Sequence, residues 1–160
     1  MSPDLILHRL RRFLLTLSGL LFGGTVIELV LTNHMEGLVQ LIPFGLCGLG
    51  LLAVVFVLLR PHRQSLLAMR GCMGVVALGS LYGVYEHITN NIAFQLEIHP
   101  NATVRDVFMD ALGGASPLLA PGILTLAAIL AVAATYYHPT LEHSAEEPQG
   151  RRILLKEKLN

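Results

Sequence analysis

Three ionisable side chains lie inside apolar stretches of the sequence, where they are energetically unfavourable. Glu28 is near the end of the first stretch, and Glu86 with His87 is well inside the third. His34 and Glu36 follow the first stretch in a short loop. An ionisable group within the hydrocarbon of a membrane marks a functional site by default. Imidazole and carboxylate are common ligands of transition metals, so this pattern predicts a metal site.

Helical spacing predicts that these groups meet inside a bundle. Gly79 and Gly83 are four residues apart, so they share one helix face that another helix can approach closely. His87 lies four residues further along the same face and is therefore expected to point into the bundle. Gly24 and Glu28 repeat this step in the first stretch. The predicted metal ligands are Glu28, His34, Glu36 and His87. Alternative ligands, or residues that orient the ligands, are Glu86, Asn90, Asn91 and Glu97.

Iron, copper, zinc or manganese would suit this ligand set, but other interpretations stay open. Glu86 and His87 are adjacent, so on a helix they point about 100° apart and do not easily bind one ion. Glu28 could instead pair with His87 in a buried polar network that holds no ion. A single haem held by His34 and His87 is another alternative. A proton path through Glu28 and Glu86 is a further alternative. No predicted span carries an ionisable residue in its cytoplasmic half, so such a path would not be continuous across the membrane.

The composition places these residues in a membrane protein. Hydrophobic residues make up 53% of the 160 residues and charged residues 14%, with a mean hydropathy of +0.61. A soluble domain of this length is less apolar. Eleven Lys and Arg balance eleven Asp and Glu, so the net charge predicts no nucleic-acid partner. Cys47 and Cys72 form no CxxC or zinc pattern, which disfavours a thiol oxidoreductase.

Four apolar stretches are long enough to cross the hydrocarbon, which needs about 20 residues. They cover residues 13–31, 38–59, 72–94 and 117–137. We therefore predict an all-α integral membrane four-helix bundle over residues 1–139, with a polar cytoplasmic tail over 140–160. In the second outer loop, Thr103 and Asp106 form a capping-box pattern before an amphipathic stretch, which predicts a short interfacial helix over 103–112.

Positive charge is distributed unevenly between the two sides of these spans. Ten of the eleven Lys and Arg residues flank the first span, lie between the second and third, or lie in the tail, and Arg105 is on the other side. The positive-inside rule therefore predicts that both termini are cytoplasmic. The candidate metal ligands then lie at the outer end of the bundle.

Two segments resemble an uncharacterised family of short four-span bacterial membrane proteins. They are ELVLTNHMEGLVQLIP over 28–43 and GVYEHITNNIAFQLEIHP over 83–100. ASPLLAPG over 115–122 and the pair His138-Pro139 resemble the same family. The resemblance covers most of the chain from 28 to 139. It implies a bacterial inner (plasma) membrane and a four-helix arrangement, and it carries over no activity.

The biochemical role stays open between several classes. The sequence does not decide whether the protein is an enzyme, although a redox reaction at the metal would suit the ligands. One alternative is a non-catalytic accessory subunit of a larger membrane complex, and another is a small oligomeric channel or transporter. The docking faces of an accessory subunit would be glycine-rich, as at Gly19, Gly23 and Gly24 or at Gly45, Gly48 and Gly50. The lipid bilayer is the predicted partner, and a homo-oligomer stays open.

Overall fold

A computed structural model describes residues 2–35, 37–114 and 118–141 of the chain. Within these ranges the chain forms five α-helices and no strand, and residues 139–141 are also helical. In chain order the helices are α1 (Pro3–Leu31), α2 (Leu38–Leu59), α3 (Arg63–Ile98), α4 (Val104–Leu112) and α5 (Leu119–Ala133). The predicted all-α class is therefore confirmed for the described residues. The predicted tail lies outside them from residue 142 onward.

Three of these helices, α1, α2 and α3, are long and apolar enough to cross a membrane. α1 has 29 residues and α3 has 36, more than the predicted spans, because each helix continues into its polar flank. α5 is shorter than the predicted fourth span. Its 15 residues cover about 22 Å at the usual rise per residue. Pro117, where that span was expected to begin, lies outside the described residues.

Two arginines from other helices hold the end of α5. Arg70 of α3 donates to the hydroxyl of Thr135 at 2.7 Å and to its carbonyl at 3.2 Å. Arg11 of α1 donates to the carbonyls of Tyr136, at 3.3 Å, and Tyr137. A cation stabilises the C-terminal end of a helix, where carbonyls lack amide partners. Tyr137 has a left-handed backbone, at φ 48°. α5 ends at Ala133, and turns over residues 134–137 follow it.

The helices α1, α2, α3 and α5 pack as a ring. α1 and α3 each contact both α2 and α5, whereas α2 and α5 contact each other little. The arginine contacts show that α5 ends where α1 and α3 begin. We call this end, with the α2–α3 loop, the arginine end. The opposite end carries α4, which packs against α3, and we call it the α4 end.

Large and small side chains interlock in the core between these helices. Phe22 of α1 is completely buried, and its ring atoms lie 2.5–2.7 Å from where a Cβ on Gly50 of α2 would be. Leu46 of α2 occupies the space beside Gly79 of α3 in the same way. α5 contributes the small buried side chains Ala127, Ala128 and Ala131. These two glycines thus allow close packing within the bundle.

Buried hydroxyl groups connect α5 to its neighbours. Ser18 of α1 donates to the Ala127 carbonyl at 2.8 Å. Thr125 donates to the Ser80 hydroxyl of α3 at 2.9 Å, and Ser80 donates in turn to the Pro121 carbonyl. Such hydrogen bonds satisfy polar groups that have no access to water. They fix α5 against α1 and α3.

The capping box predicted at the beginning of α4 is present. The Asp106 carboxylate accepts hydrogen bonds from the Thr103 amide at 2.9 Å and from the Thr103 hydroxyl at 2.7 Å. These hydrogen bonds lower the pKa of Asp106 below its usual value, because they stabilise the charged form. α4 buries Val107 and Ala111 and leaves Met109 exposed. The predicted short amphipathic helix is therefore confirmed as an element of the fold.

Candidate functional site

A cleft of about 600 Å³ opens toward the α4 end, between α1, α2, α3 and α5. Two imidazoles and two carboxylates line it, from Glu28, His34, Glu86 and His87. Apolar side chains such as Leu29, Ile42 and Leu46 form much of the remaining wall. The cleft thus brings three of the four predicted metal ligands to one place.

His34 reaches the cleft because of the way α1 ends. Asn33 adopts the left-handed backbone conformation, at φ 53°. Its amide donates to the Val30 carbonyl at 3.1 Å. The amide of His34 donates to the Leu29 carbonyl at 2.9 Å. These bonds form a Schellman motif, in which Asn takes the place usually held by glycine, and the motif turns His34 back beside α3.

The imidazoles of His34 and His87 are close neighbours. Their ring centres lie 6.4 Å apart and their planes are inclined by 33°. Two imidazoles that each bind one ion at about 2.0–2.1 Å have ring centres roughly 4.5–6.5 Å apart, depending on the angle at the ion. The observed separation lies at the upper end of this range, which corresponds to nitrogens on nearly opposite sides of the ion, and a tetrahedral site would bring the rings about 1 Å closer together. Both side chains are half-buried, so they are accessible from the cleft.

The two carboxylates of the cleft have different neighbours. Glu86 lies against the hydroxyl of Tyr82, one turn earlier on α3. Glu28 lines the cleft from the last turn of α1. The charged groups close enough to act on His87 are His34 and Glu86. The direct pairing of Glu28 with His87 that the sequence allows is therefore not seen among the described residues.

The other predicted residues take different positions. Asn90 lines the cleft. Asn91 is buried, and its side-chain amide donates to the Ala111 carbonyl at the end of α4, at 2.9 Å. Glu97 is exposed near the end of α3, and Glu36 lies outside the described residues. Within the described ranges, no group of three or more His, Cys, Asp or Glu side chains is close enough to hold a metal ion.

Sequence reasoning did not assign Thr25, Gln40 or Tyr82 to the site, although all three line the cleft. Gln40 carried a readable signal, because it is the only amide or charged side chain in α2. A strongly polar residue in an otherwise apolar helix is the signal that singled out Glu28. Thr25 and Tyr82 carry no such signal, since both are common on membrane helices.

No protein-family model, no curated protein and no solved structure matches the chain. The resemblance to four-span bacterial membrane proteins therefore stays a prediction. The role of the cleft has to be inferred from its own residues.

Proposed function

We propose that this chain is a four-span integral membrane protein of a bacterial plasma membrane, with both termini in the cytoplasm. Three apolar helices of sufficient length support membrane insertion. The arginines support the orientation. Six of those in the described ranges lie at the arginine end: Arg9, Arg11, Arg12, Arg60, Arg63 and Arg70. Arg105 of α4 is at the other end, and the positive-inside rule assigns the richer end to the cytoplasm.

α5 is the fourth span in this proposal, although it is short. Its 15 residues cover less than the hydrocarbon core, which is about 30 Å thick. The guanidinium groups of Arg11 and Arg70 bind carbonyls just after its end, so this boundary of the short span is polar. A short span is accommodated by local thinning of the bilayer at modest cost.

Cysteine labelling tests this orientation. In a background with Cys47→Ala and Cys72→Ala, a membrane-impermeant maleimide is added to intact spheroplasts. We expect it to label His99→Cys and not His62→Cys, because these exposed residues flank opposite ends of α3. Rupture of the membrane should then make His62→Cys reactive. Labelling of His62→Cys in intact spheroplasts would contradict the orientation.

We further propose that the cleft binds a divalent transition-metal ion through His34 and His87. The separation of 6.4 Å between the two rings carries this proposal. His34 comes from the turn after α1 and His87 from the middle of α3, so only the fold brings them together. Their imidazoles contribute two nitrogen ligands, which suits iron, copper, zinc or manganese.

The charges of the cleft also favour a bound cation. The carboxylates of Glu28 and Glu86 line a cleft whose other side chains are largely apolar. Unpaired negative charge is unfavourable in such surroundings. A metal ion between the imidazoles would offset this charge. Two histidine ligands leave further coordination positions open, where water or an external ligand could bind. Glu28 and Glu86 line the same cleft, and their negative charge would attract a cation toward the two imidazoles.

Elemental analysis with an optical spectrum tests the proposed metal. The full chain is purified in mild detergent without chelator or histidine tag. We expect close to one equivalent of a transition metal per chain and no porphyrin band. A porphyrin band would overturn the simple ion in favour of the haem alternative. Protein that is folded by circular dichroism but contains neither metal nor chromophore, even after incubation with each metal, would contradict both.

A further inference from the structure

A second cleft, of about 700 Å³, lies at the arginine end and has no part in the proposed metal site. It opens between the beginning of α1, the end of α2, the beginning of α3 and the segment after α5. Basic side chains line it: His8, Arg11, Arg12 and His138. Asp4 is the acidic side chain in this wall. Apolar residues complete the cleft, among them Leu7, Leu15, Val57 and Leu66.

Arg11 is the fixed element of this cleft. It is 9% exposed, and its terminal nitrogen donates to the carbonyls of Tyr136 and Tyr137. Its Nε is buried and has no hydrogen-bond partner among the described residues. Both acceptors are neutral carbonyls, so the guanidinium keeps a full positive charge beside the cleft. A charge buried in this way is unfavourable unless it is paired, and an anion in the cleft would pair with it.

His138 is affected by the same positive field. Burial lowers the pKa of this imidazole, and the charges of Arg11 and His8 lower it further. The positive charges of Arg11 and His8 therefore act unfavourably on a protonated His138. Arg12 adds an exposed basic side chain to the wall of the cleft.

We propose that the cleft at the arginine end binds the phosphate group of an anionic phospholipid. The basic side chains would hold the phosphate through charge-assisted hydrogen bonds. The apolar wall would accommodate the beginning of an acyl chain, which a free anion does not need. Basic pockets between membrane helices are known to recognise acidic lipid headgroups. The headgroup of a lipid can reach this cleft without leaving the bilayer, because the arginine end lies where α1 and α3 leave the apolar region.

A matched pair of variants on α1 tests the proposal. Arg9 and Arg12 are both exposed and both basic, but Arg12 lines the cleft and Arg9 does not. Binding of phosphatidylglycerol to the full chain is measured by native mass spectrometry in mild detergent. Arg12→Gln is expected to weaken binding about tenfold, the loss expected for one charge-assisted hydrogen bond. Arg9→Gln should remain within about twofold of the wild type, because its charge is only a distant contributor.

Controls in the same experiment distinguish the source of the phosphate. Phosphatidylcholine should bind less tightly than phosphatidylglycerol, and millimolar inorganic phosphate should not displace the bound lipid. His8→Gln, also exposed, should weaken binding in the same direction as Arg12→Gln. Equal losses in Arg9→Gln and Arg12→Gln would overturn the proposal, since they would show only general attraction. Displacement by inorganic phosphate would overturn the lipid assignment.

Discussion

Replacing His87 by alanine is expected to lower the affinity of the α4-end cleft for a transition metal by more than about 100-fold, because one of two imidazole ligands is lost. His34→Ala should have an equal effect, since the two rings lie 6.4 Å apart and each supplies one nitrogen. The affinity is measured by competition with a chromophoric chelator. Both side chains are half-buried, so their removal should leave the bundle folded.

His99→Ala provides the matched control for these variants. His99 follows the end of α3, is exposed and does not line the cleft. Its removal should leave the metal affinity within about twofold of the wild type. If His99→Ala and His87→Ala lose affinity equally, the bound metal would be an adventitious one on surface histidines, and the proposed site would be wrong.

The second large effect is expected from Gly50→Ala in the core of the bundle. The added methyl group would lie 2.5 Å from the ring of Phe22, which is completely buried and has little room to move. We expect a loss of about 1–3 kcal/mol in the free energy of unfolding, the usual cost of overpacking a filled core. The measurement is reversible unfolding in mixed detergent and denaturing surfactant, followed by circular dichroism.

Gly48→Ala on the same helix separates this contact from a general effect of glycine. Apart from its chain neighbours and the nearby backbone of its own helix, no atom of the described residues lies within 4 Å of a Cβ added at Gly48. This variant should therefore be neutral or more stable by up to about 1 kcal/mol, because alanine is the better helix former. Phe22→Leu should partly rescue Gly50→Ala, since the smaller side chain makes room. Equal destabilisation by both glycine variants, without rescue, would refute the packing described here.

Much of the fold could be predicted because it depends on local patterns. The apolar stretches predicted where α1, α2 and α3 lie, and the spacing of Thr103 and Asp106 predicted the beginning of α4. The end of α5 could not be predicted in this way. It depends on Arg11 and Arg70, which are far away in the sequence and bind carbonyls after Ala133. The four-span arrangement and its orientation stay predictions.

Part of the site could also be predicted from local sequence patterns. Four-residue steps indicated that Glu28 and His87 face the bundle, and both line one cleft. The role of Asn91 was not readable, because its partner Ala111 belongs to α4 and only the packing of α4 on α3 brings them together. The arginine-end cleft was also missed. Its basic residues come from both termini of the bundle, and separately each resembles an ordinary cytoplasmic flank.

X-ray absorption spectroscopy of the metal-loaded protein tests the central claim most directly. The scattering pattern of imidazole rings reports how many histidines bind the ion. The proposed site predicts two imidazoles per metal in the wild type and one in any metal retained by His34→Ala. A metal centre in the wild type that shows no imidazole scattering would contradict a site built on His34 and His87.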